Sequence, residues 1–129
     1  MTPMILGRQN LHTALWTPLT LHFGETWPKN TFTVKNPAAV LEFGKSFGND
    51  FHVFAINWRA DRIQWFVDGD QVWEQDASVW CRPGTTNAPF DRRFHLLLNL
   101  AVGGGLPGNP DHTTKFPARL EVDWVWVYE

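Results

Sequence analysis

Apolar and polar positions alternate at a spacing of two along much of this chain, while the three-to-four residue spacing of an amphipathic helix is nearly absent. The pattern therefore predicts strands. In RLEVDWVWVY, residues 119–128, alternation sends Leu120, Val122, Trp124, Trp126 and Tyr128 to one face and Glu121, Asp123, Val125 and Val127 to the other. In RIQWFVDGDQVW two strands meet at Asp68, Gly69 and Asp70, and Asp-Gly is a strong signal for a tight hairpin. DFHVFAINWR reads as the strand before them, turning through Ala60, Asp61 and Arg62. WTPLTLHFG and TFTV read as two shorter strands joined by a polar loop with Pro28. Residues 94–102, FHLLLNLAV, read as an apolar strand carrying one amide, Asn99, in its middle. About seven strands at this spacing suggest a β-sandwich, with the stretch from Trp80 to Pro89 and the Gly/Pro run after Val102 as surface loops.

A chain of 129 residues is long enough for one domain with a hydrophobic core. Its eight tryptophans and ten phenylalanines carry more ring surface than so small a domain readily hides. Either some rings line a groove or all of them fill the core. Trp58, Trp65, Trp124 and Trp126 sit in clean strand patterns and are assigned to the core. A net charge of −2, without any run of Lys or Arg, argues against nucleic acid or an anionic membrane as partner. The single cysteine, Cys81, cannot form an internal disulfide, and no Cys/His spacing suggests zinc. MTPMILGRQN has neither a basic start nor a long apolar stretch, so no export signal or membrane span is expected there, and the sequence assigns no location.

DFHVFAINWRADRIQWFVDGDQVW, PFDRRFHLLLNLAVGGGLPGNPD and FPARLEVDWVWVYE, in that order and preceded by LHFGETWPKN, closely resemble the C-terminal half of the catalytic domain of family 16 glycoside hydrolases. The nearest look-alikes are laminarinase-type endo-β-1,3-glucanases. The resemblance is strongest over residues 20–129, and residues 1–129 are read as one partial domain of that family. It implies an all-β, concanavalin-like β-jelly-roll sandwich, incomplete because N-terminal strands are missing, whose concave face opens to a linear glucan. It further implies a β-glucan polysaccharide as partner, a monomer, no cofactor, and a family that is mostly extracellular.

On that face Asn99 would lie on the cleft side with His95, where an amide can bond a sugar hydroxyl, although it can equally satisfy a neighbouring loop. Trp27 is the candidate for a ring stacked on a pyranose, or else covers its own loop. His22 would face the cleft from the same hairpin, or serve as a hydrogen-bonded structural histidine. At Leu106 the chain departs from the look-alikes, which often carry Trp there. Asp123 resembles an aspartate that helps hold a structural calcium in the family. One candidate ligand does not make a site for an ion that takes six to eight oxygens, so no metal is expected.

Retaining glycosidases need two carboxyls about 5–5.5 Å apart, one ionised and one protonated. The family supplies them from a strand with the pattern Glu-x-Asp-x-x-Glu, which needs a bulge to bring all its carboxylates to one side. None of the thirteen acidic residues completes that pattern. Glu121-Val122-Asp123 matches its start, but Trp126 stands where the last Glu belongs, and DGDQVWE straddles a tight turn. By alignment of LHFG the catalytic strand would end near or just ahead of Met1, so no catalytic residue is assigned and the chain is expected to be inactive alone. A non-catalytic β-glucan-binding module is the alternative, and a structural sandwich without a carbohydrate role the third reading.

Overall fold

Asp68 and Gly69 take φ of 52° and 95°, the paired positive values of a type I′ turn, which Asp and Gly adopt at little steric cost. This turn lies in a computed structural model that describes residues 4–11, 19–26, 28–35, 50–81, 89–105 and 108–128. Seven strands are present among them: β1 (Met4–Leu11), β2 (Leu19–Gly24), β3 (Asn30–Lys35), β4 (His52–Arg59), β5 (Arg62–Val67), β6 (Asp70–Asp76) and β7 (Leu120–Tyr128). A single helical turn, α1 (Ala77–Trp80), follows β6. It was not foreseen from periodicity, being too short to show any. Its signal is local: Asp76 caps it by accepting from the Ser78 amide at 2.8 Å. The bonds from the Ser78 hydroxyl and then its amide hold the Asp76 carboxyl below the usual aspartate range.

The strands form a five-stranded sheet in the order β6-β5-β4-β1-β7 and a separate two-stranded sheet, β2-β3. All neighbours are antiparallel. The core follows from β5, where Ile63, Trp65 and Val67 are buried and the residues between them are half-buried. Leu21 of β2, Val72 of β6 and Trp80 of α1 close over these three, each large apolar side chain contributing about 1.5–3 kcal/mol when fully buried. Leu19 and Phe23 pack against the same cluster. The β2-β3 hairpin therefore lies on the inner face of the larger sheet and turns Phe32 and Val34 outward. The opposite face of the large sheet carries an amide ladder: Asn57 Nδ2 donates to Gln64 Oε1 at 2.9 Å, and Gln64 Nε2 donates to Glu74 Oε2 at 2.7 Å.

Asp68 also ties its turn to β4. Its carboxylate accepts from the Val53 amide at 2.8 Å and bonds His52 Nδ1 at 2.7 Å, while its own amide donates to the Val53 carbonyl at 2.9 Å.

Six of the seven expected strands are present; the seventh differs. Residues 94–102, expected as a strand, take no regular structure, and Leu97 is 78% exposed. A strand needs a neighbour to satisfy its backbone donors and acceptors, and among the described residues this segment joins the ladder of neither sheet. In its place β1, a mixed polar and apolar stretch that the sequence pattern did not mark, is hydrogen-bonded on both sides, to β4 and β7. Ladder pairing overrides intrinsic propensity there.

A bulge corrects the expected faces of β7. Arg8 pairs with Trp124 but the next residue, Gln9, pairs with Val122, so Asp123 is the extra residue and the alternation reverses across it. Leu120 and Val122 therefore share a face with Val125 and Val127, opposite Trp124, Trp126 and Tyr128. Trp126, assigned from sequence to the core, is 53% exposed and stacks on Trp124 at 4.7 Å between ring centroids. Trp65 is buried and Trp58 packs against the core, as expected.

Two outcomes are expected. Asp68→Ala should speed amide hydrogen exchange across β5 and β6, with a loss of about 1–2 kcal/mol for the lost hydrogen bonds, and Asp68→Asn should lose less; unchanged exchange in the alanine variant would show the tie to β4 to be idle. Because Leu96, Leu97, Leu98 and Leu100 are all exposed, the chain alone should bind a hydrophobic dye and melt broadly. A soluble monomer with a sharp transition and no dye binding would contradict this.

Candidate functional site

An aromatic wall organises the surface beside the β2-β3 hairpin. Phe90 and Phe94, four residues apart in PFDRRF, stack at 5.9 Å between centroids with an interplanar angle of 27°. Two core residues hold the pair from behind. Trp58 meets Phe94 edge-on at 5.3 Å and donates its Nε1–H to the Phe90 carbonyl at 2.8 Å. Trp80 meets Phe90 edge-on at 5.0 Å. Edge-to-face contacts favour the ring quadrupoles, and the indole bond satisfies a carbonyl in a segment that joins no ladder among the described residues.

Two open depressions meet at this wall, since Phe90 and Phe94 line both. The smaller, of about 460 Å³, is completed by His22, Gly24, Glu25 and Asn30. Gly24, at φ 88°, ends β2 in the left-handed region where glycine is favoured. The larger, of about 820 Å³, is lined by Trp58, Trp65, Ile56 and Ile63 and rimmed by Arg59 and Arg92. Apolar rings beside a few polar groups are the usual composition of a small-ligand site.

His22 stands on the outward side of β2, exposed to solvent. Its Nδ1 lies 2.8 Å from Asn30 Nδ2 across the hairpin, and the Phe32 ring lies 5.6 Å away, tilted by 37°. His95 lines the larger depression. The structure thus brings His22 and His95 to two depressions that share one wall, while Asn99 is exposed and lines neither of them. Trp27 and Leu106 lie outside the described residues. Phe90, Phe94 and Asn30 were not singled out from the sequence. The repeat of Phe across a polar DRR turn was the available signal for the first two, and the cross-strand contact to His22 depends on hairpin register alone.

Two carboxyls outside both depressions are held below the usual aspartate range. Besides Asp76, Asp111 is held below the usual range by the Thr113 hydroxyl and then its amide, at an exposed turn. Asp123, the candidate calcium ligand, is exposed on β7. Among the described residues no group of three or more His, Cys, Asp or Glu is placed to hold a metal ion.

Trp58→Phe is expected to keep the ring packing but free the Phe90 carbonyl, loosening residues 90–94 by about 1 kcal/mol. Faster amide exchange confined to that segment would show it; exchange changes spread over β4 and β5 instead would point to general loss of packing.

Three comparisons bear on this surface. The sequence matches the profile of "Glycosyl hydrolases family 16" over residues 14–125. Glucan endo-1,3-beta-glucosidase A1 of Niallia circulans is 38% identical over 116 residues, which is 85% of this chain and 16% of that protein. A beta-1,3-glucan-binding protein of Penaeus monodon is 34% identical over 113 residues, 76% of this chain and 30% of that protein. Among solved structures, the laminarinase catalytic domain of Thermotoga maritima superposes with a TM-score of 0.73 at 28% identity, covering 99% of this chain and 64% of that one. The chain thus spans under a third of these two curated relatives, and its two sheets are part of a larger jelly-roll sandwich in the solved one.

Proposed function

Because the chain belongs to glycosyl hydrolases family 16, we propose that it holds a β-1,3-glucan on the face flanking the Phe90–Phe94 wall, and that it does not by itself cleave that glucan. The observation that carries the binding half is the anchored ring pair, which lines two depressions that each hold a histidine. Glucose presents axial C–H groups that pack on aromatic faces and hydroxyls that need hydrogen-bonding groups. His22 and His95 supply such groups. Asn99 and Trp27 are proposed as further contacts, the first through its amide and the second as a stacking ring.

The second half rests on the sequence. Cleavage with retention takes a nucleophile and an acid/base about 5–5.5 Å apart, and Glu-x-Asp-x-x-Glu does not occur in these 129 residues. Two roles fit a chain of this kind. It contributes the sugar-holding surface to a β-1,3-glucanase domain, as the Niallia circulans relative's name suggests. Alternatively it binds glucan without catalysis, a reading favoured by the Penaeus monodon relative, named as a glucan-binding protein.

Incubation with laminarin is expected to release no new reducing ends, while titration with laminarin oligosaccharides shows saturable binding. Trp27→Ala should weaken that binding by about 1–3 kcal/mol, the range for a lost stacking ring. Release of reducing ends that vanishes when one acidic residue of this chain is replaced would overturn the non-catalytic half. Absence of any saturable binding would overturn the other half.

A further inference from the structure

We propose that Asn30 is a positioning residue, whose side-chain amide fixes the tautomer of His22 so that the imidazole offers its Nε2–H to a sugar hydroxyl in the smaller depression; this rests on the glucan reading above. The geometry is a cross-strand contact. His22 pairs with Phe32 in the hairpin ladder and Asn30 with Gly24, so Asn30 sits diagonally from His22 on the same outward face. Diagonal neighbours on one face of an antiparallel pair remain within reach of long side chains. The Asn30 amide nitrogen, 2.8 Å from His22 Nδ1, has only hydrogens to offer. The bond therefore requires Nδ1 to be the unprotonated acceptor of a neutral ring, which leaves the proton on Nε2.

The surroundings give that donor a use. His22 and Asn30 line the same depression as Glu25 and the exposed ring of Phe94. A pyranose against Phe94 would meet a ring N–H donor from His22 and a carboxylate acceptor from Glu25, so hydroxyls on two sides of the sugar find complementary partners. Phe32 packs against the His22 ring on the outward face and limits its rotation. Without Asn30 both neutral tautomers become available, and the one with Nδ1–H presents an acceptor at Nε2 instead.

The test combines a spectroscopic readout with binding. Nitrogen NMR of the imidazole in the ligand-free chain, well above the ordinary histidine pKa of about 6.5, should show His22 with its proton on Nε2. Asn30→Ala should give a mixture of tautomers. Asn30→Asp should reverse the preference, because a carboxylate accepts from Nδ1–H. Binding of laminarin oligosaccharides should fall about three- to tenfold in Asn30→Asp, as expected for one lost hydrogen bond. His22→Gln has no imidazole to orient, so it should bind more weakly than the wild type and a further Asn30→Asp change should be silent. If Asn30→Asp leaves the tautomer unchanged, or weakens binding equally in the His22→Gln background, the positioning role is wrong while the glucan reading stands. If the tautomers behave as stated but the wild-type chain binds no oligosaccharide, the glucan reading fails and takes the sugar-facing part of this inference with it.

Discussion

Burial of one face of β5 is the constraint on which the rest of the structure depends. Ile63, Trp65 and Val67 project from a six-residue strand into a single cluster with Leu21, Val72 and Trp80. Each partner brings a different element to the same place: Leu21 seats the β2-β3 hairpin, Val72 sets the face of β6, and Trp80 ends α1 inside. A one-residue slip of β5 would turn Gln64 and Phe66 inward and detach all three. The Asp68–Gly69 turn prevents that slip, because its two positive φ values fix the register of β5 against β6.

The candidate site is an outgrowth of this core. Trp80 reaches Phe90 and Trp58 reaches both Phe94 and the Phe90 carbonyl, so a segment that joins no ladder among the described residues is still held by rings and an indole hydrogen bond. The inward side of β2 is anchored through Leu21, and the same strand therefore presents His22 outward at a fixed angle to that wall. Rigid support beneath and exposed polar groups above are what recognition of a sugar requires, because the hydroxyl partners must be in place before the ligand arrives.

Much of the fold was legible because strands bury one face and leave a period of two in the sequence. β2 through β6 and β7 all follow from that period, and the Asp-Gly pair marked its hairpin without ambiguity. Two features were not legible for the same reason: strand identity depends on neighbours. FHLLLNLAV has the composition of a strand but lacks a pairing partner among the described residues, whereas MILGRQNL lacks the composition and has partners on both sides. The Asp123 bulge is a third case, since an extra residue in one strand shows only against its partner.

By itself the sequence determined the all-β class, the order of most strands, the family resemblance, and the absence of a Glu-x-Asp-x-x-Glu strand within these 129 residues. These are local or linear properties, carried by side-chain alternation, turn chemistry and motif order. Only the tertiary structure decided that His22 meets Asn30 and that His22 and His95 line two depressions sharing Phe90 and Phe94. It also decided that Asn99 does not join them in either depression. Those placements depend on hairpin register and on indole contacts between residues more than thirty positions apart, as for Trp58 and Phe90, and no pattern along the chain encodes a distance of that kind.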